Sequence, residues 1–133
     1  MTLRTFAILA GALIGLAAVP ALAQSSKDWV DIKDPQELRA LYSNKTFKGK
    51  DWMDRPWVGH YRPDGRGVML FEGARFPRTW HVTGNDQVCI KADLNSPCFR
   101  FQRHAAKPAT YRSINVASDM KAEFSVEDGV PQF

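Results

Sequence analysis

The three histidines are the side chains whose chemistry would most readily serve catalysis or metal binding, because imidazole titrates near neutral pH and ligates transition metals. His60, His81 and His104 lie in different predicted elements or loops. The chain contains no Gly-x-Ser-x-Gly, His-Glu-x-x-His or Gly-rich phosphate-loop motif. We therefore predict that the protein is not an enzyme and carries no metal or cofactor, with the histidines at surface or half-buried positions.

Asp51, Asp54 and Asp64 are carboxylates of the type that hydrolases use in pairs. All three fall in segments typical of turns, where the Asp side chain bonds to the local backbone. The pattern therefore favours a structural role over a hydrolytic pair.

The segment from Trp52 to Arg62 is dense in aromatic and cationic side chains, as many binding surfaces are. The predicted binding surface comprises Trp52, Arg55, Trp57, His60, Tyr61 and Arg62. The alternative is that Trp57 and Tyr61 fill the interior of a barrel while the arginines are solvated. The sequence leaves both interpretations open.

The first 23 residues have the parts of a secretory signal peptide. Arg4 precedes an apolar run from Phe6 to Val19, and Ala21 and Ala23 form an Ala-x-Ala peptidase site. The run is shorter than the roughly 20 apolar residues that a membrane-spanning helix needs. We predict cleavage before Gln24 and a periplasmic protein, or one released from the cell, rather than an integral membrane protein.

Cys89 and Cys98 are the two cysteines of the chain, and both lie in the predicted exported part. An even count in an oxidising compartment favours a disulfide over free thiols. A zinc site would need about four ligands, and the histidine spacing does not complete one. We expect a structural Cys89–Cys98 bridge.

Removal of 23 residues from 133 would leave 110, which suffices for one domain. Its charge would be +3, from 17 basic residues (18 − 1) and 14 acidic ones. The basic residues are dispersed, so nucleic acid is not an expected partner. We divide the remainder into a polar lead-in (24–33), a single β-rich domain (34–128) and a loosely held tail (129–133), and expect a monomer.

One short helix and a series of strands are predicted. Asp34 is placed to cap a helix that begins at Pro35, with Glu37 completing a capping box and Leu38 and Leu41 on its buried face. Runs of aromatic and β-branched residues separated by turn residues predict strands near 45–50, 55–62, 66–72, 78–83, 87–92, 97–103, 109–116 and 120–126.

Residues that face each other across a hairpin have position numbers with a constant sum, so one pair sets the register of the others. If Cys89 faces Cys98, Val88 faces Phe99. On the preceding hairpin, Val82 faces Val88 and Trp80 faces Ile90. Both hairpins share one buried face: Trp80, Val82, Val88, Ile90, Phe99 and Phe101. In the last strand, alternation places Met120, Ala122, Phe124 and Val126 on the core side.

These elements predict a mainly β fold. Six to eight short antiparallel strands in sequence favour a meander closed into a small barrel, lipocalin-like in topology, with one short N-terminal helix. An open α+β sheet is the alternative. Short strands rich in large aromatic residues favour a barrel filled by its own side chains over a roomy cavity.

Four features occur in order along the chain: Asn44-x-Thr46-x-x-Gly49, Tyr61-x-Pro63-Asp64-Gly65, Trp80-x-Val82 and the pair Cys89 and Cys98. Together they resemble a family of small exported proteins of alphaproteobacteria, catalogued as a domain of unknown function, DUF995. The resemblance covers about half of the predicted mature chain. It implies a periplasmic β-rich domain and brings no assigned activity.

Four functions follow as hypotheses. The first is a periplasmic binding or accessory protein that acts through its surface on an unknown periplasmic protein or envelope component. The second is a carrier that holds a small apolar ligand inside the barrel. The third is an enzyme of unrecognised type, which would need a cleft with perturbed acids or histidines. The fourth is a lysozyme inhibitor, which the mild positive charge of the domain disfavours because lysozymes are themselves usually basic.

Overall fold

The structure is a computed structural model and describes residues 28–133. The predicted signal peptide, its cleavage site and residues 24–27 of the lead-in lie outside these residues. Within them the chain forms β1 (Trp29–Ile32), α1 (Pro35–Leu41), β2 (Lys45–Lys50), β3 (Pro56–Tyr61), β4 (Arg66–Phe71), β5 (Ala74–Thr83), β6 (Gln87–Lys91), β7 (Cys98–His104), β8 (Thr110–Asn115) and β9 (Lys121–Asp128).

Strands β2 to β9 form a closed eight-stranded antiparallel barrel in which each strand pairs with the next in sequence. The barrel closes where β9 returns to β2, with Lys45 opposite Asp128. Closure satisfies the backbone groups that an open sheet would leave at its edges. The predicted mainly β fold, with a meander closed into a barrel and one short helix, is confirmed.

β1 is an addition to the prediction, which treated residues 29–32 as part of an irregular lead-in. It pairs with the last four residues of β7, with Ile32 opposite Phe101 and Trp29 opposite His104. β6 occupies the same edge of β7 nearer its start, at Cys98 and Phe99. The segment escaped prediction because its four residues show no alternation: only Ile32 is buried.

The predicted register around the disulfide is confirmed. Cys89 lies opposite Cys98 and is bonded to it. On the preceding hairpin Val82 lies opposite Val88. All residues of the shared face predicted from this register are buried or half-buried. Because alternate residues of a strand point to the same side of the sheet, one correctly placed pair determines which residues of both strands face inward.

The helix closes one end of the barrel. Asp34 caps it by accepting a hydrogen bond from the Gln36 amide at 2.9 Å, and Leu38 and Leu41 are buried. Glu37 does not serve the predicted capping box; its carboxylate accepts a hydrogen bond from Arg103 of β7 at 2.8 Å. This long-range ion pair ties the helix to the barrel wall.

Tyr42, the residue that follows the helix, is the centre of the core. Its ring lies 4.7–5.7 Å from four others, which belong to Phe47, Tyr61, Trp80 and Phe101. These rings fill the lumen beside the helix, so we call this end the closed end. The loops at residues 62–65, 84–86 and 105–109 lie at the same end, because each follows a strand that runs towards it.

The opposite end, which we call the mouth, is bounded by the loops at residues 51–55, 72–73, 92–97 and 116–120. β9 begins here, and Met120 and Ala122 are exposed. The prediction that Met120, Ala122, Phe124 and Val126 all lie on the core side is therefore wrong for the first two. Phe124 is buried and Val126 half-buried, because they lie deeper in the barrel.

Candidate functional site

The lumen is open at the mouth and forms a cavity of about 800 Å³. This volume lies within the usual range of small-molecule sites, about 300–1,000 Å³. The cavity walls are mostly apolar and aromatic, and the inward-facing residues that line them include Phe47, Trp57, Met69, Ile90, Phe99 and Phe124. The expectation of a barrel filled by its own side chains therefore holds only at the closed end.

Glycines on the barrel wall keep the lumen open. A Cβ at Gly49 would lie 2.5 Å from the indole of Trp57, and one at Gly67 would lie 2.6 Å from the ring of Tyr61. Each large ring therefore lies flat against a neighbouring strand instead of projecting across the cavity. Gly59 leaves room for the Tyr61 ring on the same strand, because a Cβ there would lie 2.9 Å from a ring carbon and 3.2 Å from the hydroxyl.

Arg78 is a cationic side chain on the inner wall, whereas the two other cationic residues of the cavity lining, Lys50 and Lys121, lie at the mouth, where β2 ends and β9 begins. It lies in β5 opposite Gly67, on the same strand face as Trp80, and it lines the cavity. Its Nη2 approaches the sulfur of Met69 at 3.4 Å, while its Nε is buried without a hydrogen-bond partner among residues 28–133.

No carboxylate neutralises Arg78. All 14 acidic side chains of the sequence belong to the described residues, and none forms an ion pair with this guanidinium. The unpaired charge stands in an apolar setting, where charges are costly unless paired and hydrogen-bonded.

Two phenols lie beside this charge at the floor of the cavity. The rings of Tyr42 and Tyr61 are 4.7 Å apart. Burial is the main cause that raises the pKa of Tyr42, and it raises the pKa of Tyr61 to about 12. Both hydroxyls are therefore protonated at neutral pH and are hydrogen-bond donors.

The Tyr61 hydroxyl and the Arg78 guanidinium lie at one level of the barrel. The hydroxyl lies over Gly59, and Gly59 is paired across the sheet with Met69. The guanidinium reaches the same Met69 from β5. The floor of the cavity thus presents a permanent cation and a phenol donor towards the open lumen.

An apolar collar surrounds the mouth. Six of the seven large hydrophobic side chains that are exposed among residues 28–133 belong to the mouth loops or to the adjacent half of β5, and the seventh, Val30, lies in β1. The six are Trp52, Met53, Phe76, Leu94, Val116 and Met120. Trp52 is 85% and Leu94 98% exposed. Clustered exposed apolar side chains mark binding sites more often than single ones do.

The six residues of the predicted binding surface do not form one surface. Trp52, Trp57 and Tyr61 line the cavity, Trp52 at its rim and Tyr61 at its floor. Arg55 is held at the mouth by Asp51, at 2.7 Å, and by Glu72. The prediction placed them together because it did not separate the two faces of β3.

His60 and Arg62 lie on the outside of the barrel, where the C-terminal residues cross it. Arg62 donates to the carbonyl oxygen of Phe133 at 3.2 Å, and the Phe133 ring stacks on His60. Thr46 donates to the Gly129 carbonyl, so its hydroxyl oxygen accepts from Nδ1–H of His60 at 2.8 Å. The segment predicted as a loosely held tail thus covers these two members of the predicted surface.

The three histidines do not converge. His60 and His81 face outward from β3 and β5. They are separated by two strand spacings across the sheet and by four residues along it, which places them roughly 15 Å apart. His104 accepts hydrogen bonds from two amides of the β7–β8 loop. Nowhere in residues 28–133 do three metal-ligating side chains gather.

A second depression of about 370 Å³ lies at the closed end. Its charged rim residues already have partners: Lys45 pairs with Asp128, and Glu37 with Arg103. The charged lining residues that the structure describes here therefore offer a ligand no unpaired charge, in contrast to the floor of the lumen.

Arg78 was absent from the predicted site, although the sequence contained a signal for it. It alternates with Trp80 and Val82, which were assigned to the buried face, so the same parity places Arg78 inside the barrel. Tyr42 gave no comparable signal, because its role depends on where the helix ends against the barrel.

Comparisons of the chain with protein-family models, with curated proteins and with solved structures found no match. The resemblance to DUF995 therefore stays a prediction. Within residues 28–133, no helix has the length and apolar character needed to cross a membrane.

Proposed function

We propose that this protein binds a small, largely apolar molecule in the lumen of its barrel. The observation that carries the proposal is the cavity of about 800 Å³, lined by aromatic and aliphatic side chains and open at one end. Such a cavity buries most of the surface of a small ligand, and burial of apolar surface is the main favourable contribution to its binding.

The apolar collar supports a route for such a ligand. Trp52 and Met120 both border the cavity and are largely exposed, so they extend the apolar surface of the lumen to the outside. A ligand that enters between them contacts these apolar side chains, and the mouth also carries the charged lining residues Lys50, Asp51 and Lys121. Surface recognition through the 52–62 segment is less well supported, because its six residues are divided between lumen, rim and outer wall.

We propose further that the protein works outside the cytoplasm, as a periplasmic or released carrier. The support is the signal-peptide pattern of residues 1–23 together with the Cys89–Cys98 disulfide. Native mass spectrometry of protein purified gently from the host periplasm tests both points. We expect a chain that begins at Gln24 and carries added mass that leaves on denaturation.

Binding is tested directly with N-phenylnaphthylamine, a neutral dye whose fluorescence rises in apolar surroundings. Ala122→Trp places a large ring inside the lumen near the mouth, while Ala105→Trp places it in a closed-end loop. We expect saturable dye binding by the wild type and by the Ala105 variant, and at least tenfold weaker binding by the Ala122 variant. Equal binding by both variants would show that the dye does not occupy the lumen.

A further inference from the structure

We propose that the lumen selects amphiphiles with a singly charged acidic head group, of which a fatty acid is the simplest, and that Arg78 binds this head group at the floor of the cavity. This inference rests on the proposed function and specifies its ligand class.

The charge of Arg78 has no counter-charge in the protein. The guanidinium of Arg78 has no carboxylate partner in the protein, and its Nε is buried without a hydrogen bond among the described residues. A carboxylate that entered the lumen would supply both the missing charge and the missing acceptors. Arg is suited to this pairing because its planar fork matches the two oxygens of a carboxylate.

The charge of Arg78 lies well below the mouth of the barrel. β5 begins at the mouth with Ala74, and Arg78 is four residues further along the strand. At the usual rise per residue, this is about 13 Å of strand between Ala74 and Arg78. A head group at this depth places its alkyl chain along Met69, Phe99 and the Trp57 indole towards the mouth. The ligand therefore enters with its head group first, and its tail ends near the apolar collar.

The floor of the cavity carries one positive charge, that of Arg78. One guanidinium and neutral phenol donors complement a single negative charge. A doubly charged phosphate monoester would leave one charge unpaired in an apolar enclosure, which is costly. Two acidic residues, Asp51 and Glu123, belong to the cavity lining. Asp51 is engaged by Arg55 through a 2.7 Å ion pair, and Glu123 forms no ion pair with Arg78, so neither carboxylate neutralises the guanidinium.

Displacement of N-phenylnaphthylamine by three ligands of equal chain length tests the proposal: dodecanoate, dodecanol and dodecylamine. The wild type is expected to bind dodecanoate about 10- to 100-fold more tightly than the other two, the range expected for one charge-assisted hydrogen-bonded pair. Arg78→Met is expected to remove this preference while it keeps dye and dodecanol binding. Arg78→Lys is expected to keep part of it, because the charge stays and the fork is lost.

Arg75→Met is the matched control, because Arg75 lies three residues earlier in the same strand, faces outward and is exposed. It is expected to keep the full preference for dodecanoate. Circular dichroism melts establish that each variant is folded. If Arg78→Met does not fold, the preference for dodecanoate is compared between the wild type and Arg78→Lys instead. Equal binding of the three ligands by the wild type, or an unchanged preference in Arg78→Met, would overturn the assignment. Failure of the wild type to bind the dye would instead overturn the proposed function.

Discussion

The barrel wall at Gly67 has no room for a methyl group, which makes Gly67→Ala a test of how the lumen is built. The added Cβ would lie 2.6 Å and 2.9 Å from two ring carbons of Tyr61, and 3.1 Å from the carbonyl oxygen of His60. The Tyr61 ring is 2% exposed and packs against Tyr42 and Phe47. Since both the ring and the backbone are held, neither moves without disturbing the core.

The expected cost follows from this crowding. Overpacking a core by a single group typically costs 1–3 kcal/mol, and we expect about 2–3 kcal/mol here because the obstacle includes backbone. For a domain of this size, that loss lowers Tm by roughly 10 °C. At Gly49 the obstacle is the half-buried Trp57 indole, which adjoins the open lumen and has space to swing inward. Gly49→Ala is therefore expected to cost only about 1 kcal/mol, but to narrow the cavity and weaken dye binding.

Gly84→Ala is the control, because a Cβ at Gly84 meets nothing within 4 Å and the backbone there is not left-handed. It is expected to be neutral, or stabilising by up to about 1 kcal/mol, through the lower entropy of the unfolded chain. Guanidinium and thermal unfolding, followed by far-UV circular dichroism, measure all three variants. A Gly67→Ala protein as stable as Gly84→Ala would refute the placement of Tyr61 against the β4 wall.

Two further predictions concern stability. Replacement of both Cys89 and Cys98 by Ala removes a bridge between residues nine positions apart. From the entropy of closing a loop of this length, we expect the free energy of unfolding to fall by about 2.5 kcal/mol. An unchanged midpoint of guanidinium unfolding would show that the bridge contributes nothing to stability. Burial, with Arg75 and Lys48 nearby, lowers the pKa of His60, so the folded state resists the proton that the unfolded state accepts. This contribution to stability is complete above about pH 6.5 and is lost as the pH falls below it. Thermal melts between about pH 7 and 5.5 should therefore decline more steeply for the wild type than for His60→Gln, and parallel curves would contradict the assignment.

Short-range patterns in the sequence were sufficient to predict most of the fold. The eight barrel strands, the Asp34 cap and the pairing of Cys89 with Cys98 follow from residues that lie within a few positions of one another. β1 did not follow, because a four-residue strand with one buried side chain has no period to detect. The ion pair between Glu37 and Arg103 could not be predicted from local pattern either, because those residues are 66 positions apart.

The candidate site was less predictable, because it depends on which face of each strand turns inward. Trp57 and Tyr61 line the cavity while His60 between them lies outside, a division that alternation along β3 implies but the density of aromatic residues concealed. The exposure of Met120 at the mouth depended on the height at which the chain enters the barrel to begin β9.

The sequence by itself determined a β-meander with one short helix and a disulfide, because strand alternation, turn residues and cysteine spacing act over short distances along the chain. Only the tertiary structure decided that the barrel is partly hollow, since this depends on Gly49 lying beneath Trp57 and Gly67 beneath Tyr61 on neighbouring strands. It also decided that Arg78 stands inside that hollow without a counter-ion, because the separation of a charge from every carboxylate is a property of the whole packed chain.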